Sequence, residues 1–400
     1  MKKLKILIIN DKGFLFGGAE VRLLNQKREL MRRGHVVRIF SSNFDYGKKN
    51  FSDYRFSGFN VNEKSIIKWF NQIFNLRSYF KLKEILKEFK PDIIHIFNIY
   101  YQVSPSVLKC LKNIPTIMSI CSYEMICPMG AVPASSVKCN YKFGKQCLKC
   151  IGSFKGYYYE KIKQKVYKIL LNNIDIFVAP SKNIKKNFIK QDFINSKIIT
   201  IYNGIKLFKY SEVKDTKKIL YVGRLYKEKG VEYLLNAIPL IFKKIPKVRC
   251  DIVGDGPERE RLERLVKKLK LSKNVKFLGK IAYEKIEECY RRSTVVVIPS
   301  ICPEAFCLVG LEAMSVGRAV VGTNIGAIPE WLEDGRTGFL VEPKNYKDIA
   351  NKIIKLFENQ KLLKMMGERA HIRVEKFSIE EYVKNLERLY EKILKKYTII

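Results

Sequence analysis

The sequence predicts two doubly wound α/β domains, each a parallel sheet with helices on both faces. Three observations lead there. Four hundred residues exceed what one hydrophobic core usually organises, so two domains of roughly 200 residues are the starting expectation. Short apolar runs alternate with helical or loop segments in two separate series. Between the series, after Tyr202-Asn203-Gly204-Ile205, a charged and irregular stretch runs to Lys217 and reads as a linker.

The first series has strands at residues 4–9, His35–Phe40, Asp92–Phe97, Pro115–Ile120, Ile174–Val178 and Lys197–Ile201. A helix from about Glu20 to Arg33 follows the first strand, after a loop ending in Gly17-Gly18-Ala-Glu20. Two adjacent glycines let a backbone approach a phosphate without a side chain intervening, although such a pair is also an ordinary turn. The second series restarts at Lys218–Gly223 and continues with Val248–Val253, Val275–Leu278, Val295–Ile298, Ala319–Val321 and Gly338–Val341. The expected domains are therefore residues 1–206 and 207–377, with 378–400 as a long amphipathic helix.

Lys and Arg total 76 against 39 acidic residues, a formal charge of +37. Nucleic acid, anionic lipid or phosphorylated substrates would each suit such a surface, and so would a mere bias in composition. With no aromatic platform motif and no recognisable reading helix, specific nucleic-acid binding is not expected. No stretch approaches the ~18–20 uncharged apolar residues of a membrane span, and the amino terminus enters a strand without a cleavage site. A cytoplasmic protein is expected. Two stretches, Lys64–Phe89 and Tyr157–Leu171, mix aromatic or aliphatic residues with lysines at helical spacing. Such helices suit the inner face of an anionic membrane, and core packing with a solvated lysine face explains them as well. In a reducing compartment ten cysteines argue against a disulfide framework. Cys127, Cys139, Cys147 and Cys150 cluster in one loop-like region and could hold a structural zinc, although their gaps are not those of a zinc ribbon or finger.

The most informative stretch runs from Pro299 to Glu330. Apolar Val295–Ile298 leads through a Pro-bounded turn into a helical pattern at about Phe306, a strand-loop-helix unit. Open α/β sheets bind ligands at such a loop, and the following helix aims its free N–H groups there. Glu304 falls in the loop and Glu312 about two turns into the helix. Carboxylates so placed can hold ligand hydroxyls, or they can be a first-turn charge and a solvated face. At the carboxyl end of the second series' first strand, Arg224 offers a planar fork and Lys229 a compact charge, suited to a diphosphate unless both simply face solvent. Backbone N–H groups of Phe306, Cys307, Leu308 and Val309 would complete an anion site.

Glu304, seven residues, Glu312, then the Gly-rich return to Pro329-Glu330, resemble the donor-site signature of retaining glycosyltransferases of family 4. The resemblance covers nearly the whole chain and is most specific over residues 219–342. It implies the GT-B fold, two Rossmann-like domains facing a central cleft, with the last helix crossing back onto the first domain. It also implies transfer of a hexose-type sugar from a nucleotide diphosphate donor, UDP- or GDP-linked, to a cell-envelope, lipid-linked or glycan acceptor. On this resemblance Glu304 is the catalytic candidate, holding hydroxyls of the donor sugar, and Glu312 holds the nucleotide ribose. Arg224 and Lys229 clamp the diphosphate, and the loop with Gly17 and Gly18 reaches toward the donor phosphates. Asp255-Gly256-Pro257 and Leu278-Gly279-Lys280-Ile281 are similar to family loops near the base. Because Arg224, Lys229 and the helix end can stabilise the diphosphate, no catalytic metal is expected.

On the acceptor side, His95, read as the end of the third strand, fits a positioning or core histidine better than a base. Family members often carry His-Asp-Tyr-Trp followed by Cys-Pro, whereas this chain reads Ser119-Ile-Cys121-Ser122-Tyr123-Glu124-Met-Ile-Cys127-Pro128. Cys121 replaces the usual histidine, so either another group does that work or turnover is impaired. Rival readings are a nucleotide-sugar epimerase or phosphorylase of the same fold, and a non-catalytic nucleotide-sugar-binding protein.

Overall fold

A computed structural model of the chain describes residues 2–44, 47, 49–59, 66–130, 139, 143–190 and 197–398. They form two compact units. One contains the chain up to Gly204 together with the segment from Ile379 onward, and the other contains Ile205–Ser378.

In the first unit β1 (Lys5–Lys12), β2 (Val36–Ser42), β3 (Tyr54–Phe56), β4 (Ile93–Asn98), β5 (Thr116–Ser119), β6 (Ile176–Ala179) and β7 (Ile198–Thr200) form one parallel sheet. Its order is β3-β2-β1-β4-β5-β6-β7. Between them run α1 (Gly18–Arg32), α2 (Ile66–Asn71), α3 (Leu76–Phe89), α4 (Cys147–Ile151), α5 (Phe154–Leu170) and α6 (Lys182–Ile189). Ile6, Ile8, Ile93 and Phe97 are fully buried, as in a sheet covered on both faces. Strand β3 was not expected. Its three residues are too few to show an alternation, and it pairs only along the end of β2. The stretch Lys64–Phe89 is two helices rather than one. Lys64 and Ser65 lie outside the described residues, and α3 begins afresh where the Asn75 side chain accepts the Ser78 N–H.

The second unit contains β8 (Lys218–Val222), β9 (Arg249–Val253), β10 (Val275–Gly279), β11 (Val295–Ile298), β12 (Ala319–Thr323) and β13 (Gly338–Val341), in the order β10-β9-β8-β11-β12-β13. Its helices are α7 (Val231–Lys244), α8 (Arg259–Lys268), α9 (Ile286–Arg291), α10 (Leu308–Ser315), α11 (Ile328–Trp331), α12 (Tyr346–Glu358) and α13 (Gln360–Val374). All paired strands here are parallel as well. The order reverses at β1/β4 in one sheet and at β8/β11 in the other. Loops leaving adjacent strands there part to opposite sides and open a crevice beyond the strand ends.

The final helix α14 (Ile379–Thr398) belongs to the first unit. Its Tyr382, Val383, Leu386, Tyr390 and Ile393 complete the core around Ile6, Leu23 and Ile93. Polar contacts fix its register. Tyr382 OH donates to Gln26 Oε1 at 3.0 Å, and Tyr390 OH lies 2.8 Å from His95 Nδ1.

Candidate functional site

The loops leaving β8 and β11 bring the sequence-predicted basic and acidic residues of the second unit together. Lys229 Nζ donates to Glu304 Oε1 at 2.7 Å, and Ser300 Oγ donates to the same oxygen at 2.6 Å. Among the described residues both of the carboxylate's hydrogen bonds go to Oε1 and none to Oε2. Burial alone would raise the Glu304 carboxyl. The Lys229 charge and hydrogen bond, Ser300 and the nearby Arg224 together hold it below its ordinary 4.5. Burial likewise opposes the Lys229 charge, yet Glu304 holds that ammonium above its ordinary 10.5. Both groups are therefore charged at neutral pH. Arg224 is exposed beside them, its guanidinium 4.9 Å from the Tyr226 ring centroid.

Two glycines make this approach possible. Gly230 has φ 65°, and a Cβ there would fall 2.0 Å from the Pro299 carbonyl oxygen, so only a bare backbone lets the Lys229 turn reach the β11 loop. Gly326 has φ 61°, and its Cβ would lie 2.4 Å from the Glu304 nitrogen. Next to it, Ala327 N–H donates to the Glu304 carbonyl at 3.0 Å. The loop after β12 thus holds the Glu304 peptide from behind. Tyr221 OH donates to the Arg224 carbonyl at 3.0 Å and fixes the other side.

Helix α10 starts at Leu308 rather than near Phe306, because Cys307 takes the left-handed conformation, φ 68°, as its N-cap. Glu312 consequently lies about one turn into the helix rather than two. It is buried and accepts a hydrogen bond from Tyr290 OH at 2.8 Å, with the Tyr283 phenol close by, and burial raises its pKa. Cys307 feels the charges of both Glu304 and Glu312, so it sits between them. Phe306 is buried, and its carbonyl accepts Trp331 Nε1–H at 2.7 Å. Leu308 and Val309 are half-buried at the helix start, where no acidic residue occupies the first turn. An anion would meet a positive helix end there.

Sequence reasoning missed Ser300, Tyr290, Trp331 and the supporting role of Gly326. Ser300 had a signal, a hydroxyl four residues before Glu304 at the strand end. Tyr290 and Trp331 had none, because their contacts depend on how α9 and α11 pack against α10.

In the first unit Gly17 caps α1 and its N–H donates to Glu20 Oε2 at 2.9 Å, while Gly18 is exposed. His95 corrects an expectation. It lies in the middle of β4, not at its end, and is fully buried. Gln26 Nε2 lies 2.9 Å from Nδ1 and Ser119 Oγ lies 2.8 Å from Nε2. Burial and the Arg22 charge push its pKa well down, so the ring is neutral and ties α14 to the sheet. Cys121 follows β5. Its sulfur accepts from Arg22 Nη2 at 3.2 Å, and burial pushes the thiol up to about 11, so it is not a thiolate at neutral pH. The Cys127 thiol is also pushed up to about 11, first by burial and then by Cys139, Cys147 and Cys150, which therefore share its neighbourhood. Among the described residues no three His, Cys, Asp or Glu side chains are arranged to hold a metal ion.

The signs of the Glu304 and Lys229 shifts fix a pH window. A depressed carboxyl adds stability above its ordinary value and loses it as pH falls through the folded one, and a raised amine does the reverse. The pair is fully present between 4.5 and 10.5. From about pH 5 to about pH 3, wild-type protein should lose melting temperature faster than Glu304→Gln. Parallel curves would show that the pair adds no stability.

Comparison with known proteins agrees with this architecture. Sucrose-phosphate synthase of Thermosynechococcus elongatus superposes with a TM-score of 0.78 at 21% identity, covering 98% of this chain and 100% of that one. HepE of Anabaena, crystallised with UDP-glucose, gives 0.70 at 20% identity over 97% of this chain and 100% of its own. The class is that of the GT-B glycosyltransferases, with two parallel-sheet α/β units. An uncharacterized glycosyltransferase of Methanocaldococcus jannaschii is 32% identical over 271 residues, 64% of this chain and 68% of that protein. The Glycosyltransferase Family 4 model matches residues 16–207 and the Glycosyl transferases group 1 model residues 205–373. The chain belongs to this family of glycosyltransferases. Among the described residues no helix is long and apolar enough to cross a membrane.

Proposed function

We propose that the chain transfers a hexose from a nucleoside diphosphate sugar, with retention of anomeric configuration, to a hydroxyl of a glycan or lipid-linked acceptor. The observation that carries this reading is the charged pair at the β8/β11 switch point, Lys229 on Glu304 Oε1 with Arg224 beside them. Lys229, Arg224 and the first amides of α10 are positive groups fixed before the ligand arrives. They favour the diphosphate more as the glycosidic bond breaks and its negative charge grows, and each such donor is worth about 10²–10³ in rate. Glu304 Oε2 is left to accept a hydroxyl of the sugar, which orients the anomeric carbon. The buried carboxyl of Glu312, held by the Tyr290 phenol, is poised to accept from ribose hydroxyls. The UDP-glucose bound to HepE supports a uridine donor.

Thermal shift with UDP and UDP-glucose tests the diphosphate contact. Wild-type protein should gain melting temperature with nucleotide, and Arg224→Ala should lose most of that gain. An undiminished shift in Arg224→Ala contradicts the assignment. NMR of the sugar released or transferred should show the anomer of the donor, and the opposite anomer would end the retaining claim. Tight binding without transfer or donor hydrolysis would favour a binding protein over an enzyme.

A further inference from the structure

The solvent face of α5 has the wrong chemistry for an ordinary surface helix. At about 100° per residue, Phe154, Tyr158, Ile162, Lys165 and Ile169 fall within an arc of about 80°. All five are exposed, Phe154 at 70% and Ile169 at 69%. Lys155, Lys161 and Lys168 flank the stripe and are exposed too. The opposite face fixes this orientation. Tyr167 and Leu170 are buried, Tyr167 OH donates to the Ile99 carbonyl at 2.8 Å, and Tyr159 stacks on Trp69 with centroids 4.8 Å apart. The helix's one acid, Glu160, is half-buried and bound to Lys163 at 3.2 Å. The outer stripe therefore carries four large apolar side chains and four lysines with no carboxylate. Beside it, α2 exposes Trp69 and Phe70.

We propose that this face docks the first unit on an anionic lipid bilayer. The axis of α5 lies parallel to the surface. Phe154, Tyr158, Ile162, Ile169 and Phe70 enter the headgroup boundary, and the lysines reach outward to lipid phosphates. Contiguous exposed apolar area marks a surface that is covered in use, and the charge decides what covers it. A second copy meeting the same face would bring four lysines against four. Nucleic acid would accept the charge but not the isoleucines, which give bases nothing to stack on. An anionic bilayer accepts both. The proposal stands whether or not the chain transfers sugar, and its test uses no donor.

The full-length chain is sedimented with vesicles of phosphatidylcholine alone or with roughly one-third phosphatidylglycerol. Wild-type protein should pellet with the anionic vesicles only. K161E/K165E/K168E should lower the partition by about a hundredfold or more. F154S/I162S/I169S should also abolish pelleting while retaining the wild-type melting temperature. Fluorescence gives a second readout that needs no variant, because the chain has two tryptophans and Trp331 is fully buried. A blue shift on adding anionic vesicles reports Trp69. The proposal is overturned by equal recovery in both supernatants, or by both variants pelleting like wild type. A lipid-free dimer, or oligonucleotide binding, that the apolar variant abolishes would assign the stripe to that partner instead.

Discussion

Glu304→Gln is expected to lower the rate of sugar transfer by roughly a hundredfold or more while leaving UDP affinity within severalfold. Glutamine keeps the size of the side chain and can still accept from Ser300 and Lys229 through one oxygen. What it replaces at Oε2 is the free acceptor oxygen, by an amide that donates instead. A sugar hydroxyl then meets the wrong partner, and the positive field of Lys229 is no longer balanced. The measurement is kcat and KM for the transferred sugar beside the Kd for UDP alone. A drop in kcat with UDP binding intact identifies a group that acts on the sugar. A parallel loss of UDP affinity would instead make Glu304 a support for Lys229, and unchanged kcat would remove it from the reaction.

Gly326→Ala should be nearly as damaging, although the residue lies beyond β12 and has no chemistry of its own. Its added Cβ would meet the Glu304 nitrogen at 2.4 Å and the Glu304 carbonyl oxygen at 2.5 Å, which are backbone atoms that cannot rotate away. Left-handed strain adds about 1 kcal/mol and overpacking about 1–3 kcal/mol. For a unit of this size that lowers the melting temperature by roughly 5–15 °C. Because the displaced peptide carries Glu304, transfer should fall at least about tenfold even where the protein stays folded. Gly335→Ala is the control. It has φ 70° but nothing within 4 Å of the new Cβ, so it carries the strain without the collision. If both variants behave alike, the contact with Glu304 is immaterial.

The two sheets were legible because a strand covered on both faces must be apolar along its length. Val295–Ile298 and Gly338–Val341 run from end to end as the sequence marks them. Edges and ends were less legible. Strand β3 is short enough for its three residues to read as loop, and α10 begins late because the left-handed Cys307 leaves no trace in a hydrophobicity pattern. That single conformation shifts the helix start by two residues, about half a turn, toward Glu312. His95 was read as a strand end, yet β4 continues three residues beyond it, to Asn98, beneath α14. Arg224, Lys229 and Glu304 could be grouped because each follows a strand at the sheet's switch point. Tyr290 on Glu312, Trp331 on the Phe306 carbonyl and Gly326 against the Glu304 peptide could not, since each contact comes from packing between segments separated in the chain.

The place of α14 in the first unit also bears on how that unit comes into being on the ribosome. Its sheet is complete once Thr200 has emerged, but the side chains that cover Ile6 and Leu23 reside in Tyr382–Ile393, on the far side of Ile205–Ser378. At about 5–20 residues per second, roughly ten to thirty-five seconds of translation separate the two. For that interval the nascent amino-terminal half exposes an open greasy flank, and a chain that loses its last twenty or so residues would keep it exposed for good.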